Sequence, residues 1–219
     1  MKKFSGLIKE NKLTVDDIDD FFLDFVDDKY SISDLVKFKK VEISSIYSTP
    51  TYQPKICIEY EIDRRFYSIS SSNVDLFTKL LSSVNENCIR WNLEYKIILG
   101  NDRKLIIFKE VPDIIKKYHD EIGLIGFMGW SGSLKLQFDD DVVKFFVMIS
   151  VDRDLKFKIK IRFIANNKKE EKIISRLLNN KEKSISVVRD HFKSHGLKGD
   201  IRIEKFSNGE IIFELKLEE

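Results

Sequence analysis

An α+β fold built from two tandem related halves, with antiparallel sheets packed on helices, is what the sequence predicts, on three observations. Runs of alternating apolar residues recur between turn signals, and amphipathic helical segments fall among them. The turn Ile62-Asp63-Arg64-Arg65-Phe66 returns as Val151-Asp152-Arg153-Asp154-Leu155, each time between two alternating runs and ahead of a helix and another strand pair. The halves are residues 1–110 and 111–219, and each reads helix, three strands, helix, two strands. With 17 Phe against 9 Gly and 3 Pro, packed sheet is favoured over flexible linker. A chain of 219 residues is long enough for a substantial core.

The first element is an amphipathic helix over 14–30. Thr14 suits its N-cap, Val15, Ile18, Phe22, Phe25 and Val26 form one stripe, and the opposite face is almost all Asp. Asp27 and Asp28 sit at the end where the helix dipole disfavours them. Strands follow near 41–48, 54–62 and 66–70, then a helix near 73–86 capped by Asn73, with a core stripe of Val74, Phe77, Leu80, Leu81 and Val84. Strands near 90–98 and 103–109 close the half.

The second half opens with an amphipathic helix over 111–122, with Pro112 in its first turn and Gly123 at its end. Strands near 133–138, 142–151 and 155–164 lead into helical sequence over 168–195, broken at Asn179-Asn180 and capped by Gly196. Strands near 199–206 and 210–217 complete it. Residues 95–110 can be laid on 201–216 without a gap. This element order is similar to that of the secretion-chaperone-like folds, whose members bind other proteins. The likeness is one of order alone and transfers no residue roles.

Charge is uneven beneath a formal net of +2. Residues 153–206 hold 16 Lys and Arg against 7 Asp and Glu, whereas seven aspartates crowd positions 16–28. Two cysteines, Cys57 and Cys88, make no disulfide framework, and neither has a CxxC neighbour. No stretch is apolar enough for a signal peptide or a membrane span, so a cytoplasmic chain is expected.

The most informative surface is a row of cations. If residues 152–154 make a three-residue loop, Val151 pairs with Leu155, and one face of the strand pair is wholly apolar. The other face then carries Lys156, Lys158, Lys160 and Arg162 opposite Ser150, Met148, Phe146 and Lys144. Alternate strand residues lie roughly 6.8 Å apart, spaced like successive backbone phosphates. Lys135, Arg202 and Lys216 add to the row, against Glu204 and Glu214. The equivalent face of the first half, with Lys55, Cys57, Glu59 and Glu61 across from Tyr67 and Ile69, is mildly acidic.

The first reading is therefore a non-catalytic nucleic-acid-binding protein. Lys144, Lys156, Lys158, Lys160, Arg162 and Arg202 would meet phosphates, and Phe146 would offer a stacking surface. The RRM signature is missing. The alternative is a protein-binding adaptor or chaperone-like module that turns the same face to an acidic partner, or to the Asp-rich helix of itself or a second copy. A third reading is an exposed strand whose lysines discourage edge pairing.

Candidate chemistry is thin, and no cofactor is called for. His191 and His195, at i and i+4 on one helical face, have a metal-ligand spacing but lack further ligands. Asp139-Asp140-Asp141 suits a turn better than a cation site. The loop of Gly126, Phe127, Met128, Gly129, Trp130, Ser131 and Gly132 is neither a nucleophile elbow nor a Walker loop; Trp130 suits burial between the halves better than an exposed contact. No catalytic Ser/His/Asp spacing or nucleotide fingerprint is present, so an enzyme is not expected.

Overall fold

The computed structural model describes residues 13–25, 36–44, 54–64, 71–98, 102–127, 129–207 and 209–217. Thr14 opens helix α1 (Val15–Asp19) through a capping box. Its hydroxyl accepts from the Asp17 N–H, and the Asp17 carboxylate accepts from the Thr14 N–H at 2.7 Å. Past Asp19 the backbone tightens into a 3-10 segment, Asp20–Phe25, instead of continuing as α-helix toward residue 30. Asp16 and Asp20 stand at i and i+4, where like charges repel and Asp itself propagates a helix poorly. Val15, Ile18, Phe21 and Phe22 are buried. The Phe25 side chain and residues 26–30 lie outside the described part.

Strands β1 (Val36–Ser44) and β2 (Lys55–Ile62), helix α2 (Ser71–Arg90), and strands β3 (Glu94–Ile98) and β4 (Lys104–Glu110) follow. The sheet is antiparallel, in the order β1-β2-β4-β3. Strand β1 starts five residues before its expected position, because a bulge between Phe38 and Lys40 breaks the period-two pattern there. Helix α2 runs from before Asn73 to Arg90, and Cys88 extends its buried stripe of Leu80 and Val84. It ends at Asn92, which adopts φ 51°, and the Leu93 N–H donates to the Cys88 carbonyl at 2.8 Å. The strand expected at 66–70 lies outside the described residues.

The second half comprises α3 (Asp113–Glu121), β5 (Ser131–Phe138), β6 (Asp141–Val151), β7 (Phe157–Ile164), α4 (Lys168–Asn179), α5 (Lys181–Ser194), β8 (Gly199–Ser207) and β9 (Glu210–Leu217). Its antiparallel sheet has the order β5-β6-β7-β9-β8. Leaving out β7 gives β5-β6-β9-β8, the order of the first sheet with β2 paired directly to β4. The closing hairpins differ in register. Tyr95 opposes Ile107, whereas Ile201 opposes Leu215, and β8 carries a bulge between Ile203 and Lys205. The helical run breaks at Asn180 as the sequence predicts, and Gly196 (φ 77°) ends α5 with the Leu197 N–H donating to Phe192 O at 3.0 Å.

One continuous buried cluster joins both sheets. Ile58, Leu105 and Ile107 of the first and Val147, Ile159, Ile161 and Phe213 of the second belong to it, together with Ile115 and Tyr118 of α3. Each such side chain contributes about 1.5–3 kcal/mol by leaving water. The N-terminal helix touches the second half directly: the Val15 N–H donates to Arg153 O at 2.9 Å, and the Arg153 guanidinium reaches Asp16 and Asp19 while lying 4.6 Å from the Phe38 ring centroid. No helix among the described residues is long and apolar enough to cross a membrane.

Candidate binding face

Strands β6, β7, β9 and β8 bury alternate residues against α4 and α5 and turn the others outward. The expected register needs correction by two residues. Val151 pairs with Phe157 rather than Leu155, so Ser150 opposes Lys158, Met148 opposes Lys160 and Phe146 opposes Arg162. The connection spans residues 152–156, because Asp152 and Leu155 organise it. The Asp152 carbonyl accepts from the Leu155 N–H at 3.0 Å, its carboxylate accepts from the Lys156 N–H at 3.0 Å, and Leu155 turns left-handed at φ 55° to bury its side chain. A slip of two keeps every side chain on its expected face.

Lys156 therefore belongs to the connection and not to the strand. The remaining cations sit in cross-strand rows: Met148, Lys160, Glu214 and Arg202 make one, and Ser150, Lys158, Lys216 and Asp200 the next. The first row alternates in sign, and the second sets Lys158 beside Lys216 with Asp200 at the edge. Lys158 meets Asp152 at 3.0 Å, Lys160 meets Glu204 at 2.5 Å and Glu214 at 3.5 Å, and Arg162 is paired with Glu210. Arg202, at the far edge, pairs with Asp200 at 3.1 Å. Lys158, Lys160 and Arg162, expected to be free to meet phosphates, are instead paired with acids of the same sheet and its turn. Of the Asp-rich segment, Asp16 and Asp19 pair with Arg153 instead.

These pairs are partly withdrawn from water. The Lys160 side chain is 19 % exposed and Glu214 13 %. Burial raises the Asp152 carboxyl, but the Lys158 ammonium and the Lys156 N–H outweigh it and hold the group below its ordinary value. The hydrogen bond to Asp152 raises the Lys158 ammonium in turn. Apolar groups lie among the pairs: Phe146 and Met148 are half-buried, Ile212 is 9 % exposed, and Trp130 lies beneath the Arg162 guanidinium at 5.2 Å. Lys135, Lys144 and Lys216 are exposed and have no ion pair among the described residues.

In the first half the equivalent face is also laced with pairs. Glu59, 2 % exposed, sits between Lys39 at 3.1 Å and Lys104 at 3.5 Å, and Lys55 meets Glu94 at 2.5 Å and Glu110 at 3.5 Å. Cys57 is buried with Ile106 and Phe108, its thiol pushed up to about 12 by burial. Tyr67 and Ile69 lie outside the described residues.

Several other singled-out residues have structural partners. Asp141 binds Arg176 at 2.6 Å and Asp139 binds Lys183, tying the β5–β6 turn to the helices. His191 Nε2 lies 3.2 Å from the Tyr118 hydroxyl, and its ring centroid is 4.8 Å from that of His195. Among the described residues no three His, Cys, Asp or Glu converge as metal ligands. Trp130 is half-buried at the edge of the sheet face, while Phe127 stacks on His119 at 4.1 Å. Glu204 and Glu214 were legible as acids of this face from period-two spacing. Asp152 and Glu210 were not, because each lies at a turn whose geometry decides where it points.

Compared with known proteins, the chain matches no family model, no curated protein and no solved structure.

Proposed function

We propose that the chain is a non-catalytic binding protein that docks another protein on the outer face of its C-terminal sheet. The observation that carries this reading is the pairing of Lys158, Lys160 and Arg162 with carboxylates of their own half. A phosphate drawn to Lys160 would approach Glu204 and Glu214 as well. Two like charges about 4 Å apart repel by about 4 kcal/mol at an effective dielectric near 20, so the acids oppose a polyanion where the lysine attracts it. A protein partner meets no such conflict. Half-buried Phe146 and Met148 supply an apolar centre, interleaved charges set the register, and exposed Lys135, Lys144 and Lys216 favour carboxylates on the partner.

A second reading, a nucleic-acid-binding face, draws on those three unpaired lysines together with Lys156 and the apolar surface of Phe146. Lys135 and Lys144 lie beside each other on β5 and β6 and Lys216 lies next to the paired Lys158, which leaves fewer phosphate contacts than the whole row would give.

The test uses the full chain, tagged and recovered from the cells that make it, compared with a Phe146→Glu, Met148→Glu variant. A protein retained in fixed stoichiometry, resistant to nuclease and lost from the variant, is expected. A partner retained equally by the variant, or released by nuclease, would refute docking of a protein on this face.

A further inference from the structure

Where the two sheets meet through α3, β4 continues its core-facing row from Leu105 and Ile107 to Lys109. A lysine thus occupies the next position of an apolar row. It is half-buried, and it has no carboxylate partner among the described residues. Glu110, beside it, is committed to Lys55 at 3.5 Å and Lys116 at 3.2 Å. An ammonium withdrawn from water without a counter-charge destabilises the fold unless something supplies one.

Lys109 borders a cleft of about 360 Å³ walled by Ile56, Ile115, Phe157 and Leu217, with exposed Lys156 on the same wall. That volume falls in the range of small-molecule sites, which are mostly apolar with a few placed polar groups. We infer that this cleft between the sheets binds a small amphipathic carboxylate: the alkyl or aryl body lies along the apolar walls, and the carboxylate meets the ammonium of Lys109, with Lys156 at the mouth. The site shares only Lys156 with the second reading of the sheet face, and its occupancy does not depend on the docking of a protein there.

Two features support a carboxylate over a neutral apolar ligand, and a third supports its apolar body. Two cations border the cleft, and Glu110, the acid among its described lining residues, is paired with other lysines. Burial lowers the Lys109 ammonium from its ordinary value, as expected where no opposite charge stands beside it among the described residues. In addition, Ile56 directly opposes Lys109 across the β2–β4 ladder, which sets apolar surface beside the charge.

Octanoate and octanol are the probes, followed by calorimetry and by the methyl resonances of Ile56, Ile114 and Ile115 in the full chain. Octanoate is expected to bind at least about tenfold more tightly than octanol, since one charge-assisted contact is worth roughly that factor. It should shift those three methyls. Lys109→Met keeps length and removes charge. It should reduce octanoate to the affinity of octanol, and it should raise the melting temperature of the ligand-free protein by about 2–4 °C. Ile114→Glu changes a residue 40 % exposed, so the fold should persist while octanoate binding falls at least about tenfold. Octanoate and octanol binding alike, no methyl shift, or a Lys109→Met protein that melts lower and still binds octanoate would overturn the assignment.

Discussion

His191 shows how one side chain can report on the contact between α3 and α5. Burial first, and then the neighbouring His195, hold its imidazole down to about 4. An ordinary His titrates near 6.5 in the unfolded chain, so above that pH neither state holds the proton and the group does not alter stability. As pH falls from about 6.5 toward 4, the unfolded chain takes up a proton that the folded one refuses, and stability is lost by up to about 3 kcal/mol. Urea midpoints should therefore drop across that window. In His191→Gln, which keeps a polar group for the Tyr118 hydroxyl 3.2 Å away, the drop should largely vanish. An equally steep profile in the variant would assign the effect to other groups.

At the scale of elements, the end of α5 gives a direct test. Gly196 holds φ 77°, and a Cβ there would sit 3.3 Å from Ile114 Cδ1. Gly196→Ala is expected to cost about 1–2 kcal/mol in chemical denaturation, from left-handed strain and that approach. A neutral result would mean the cap adapts. This cap was readable in advance, as were the Thr14 cap and the break between α4 and α5, because single residues with specific backbone preferences announce them. The β6–β7 register was less legible. Nothing in the composition of residues 152–156 says that Leu155 turns left-handed, so a short loop and a five-residue one remain equally compatible with the alternation on either side. The face of each residue survived that error, since period two is blind to a slip of two. The ion pairs did not follow from it, because Asp152 and Glu210 reach the lysines only through the turns they occupy. Lys109 was visible in Leu105-Ile107-Lys109, but a lysine at the end of a strand looks solvent-facing until α3 is placed beside it.

Across the whole molecule, two sheets share one core, and their surfaces divide the remaining tasks. The C-terminal sheet shows a face of paired charges around Phe146 and Met148, while the cleft beside α3 holds the Lys109 ammonium, which has no carboxylate partner among the described residues. Asp16 and Asp19 of the N-terminal segment meet Arg153 at the β6–β7 connection, and that contact fastens the halves together. The most direct check on that picture is the affinity of the full chain for a fluorescent single-stranded RNA and DNA of about 20 nucleotides, followed by anisotropy from about 50 to 200 mM salt. Because the cations of β7 are held by carboxylates of their own half, weak binding, no tighter than about 10 µM at the lowest salt, is expected, and Lys158→Glu with Lys160→Glu should change it little. Submicromolar binding that falls steeply with salt and disappears in that double variant would be incompatible with a charge-compensated face.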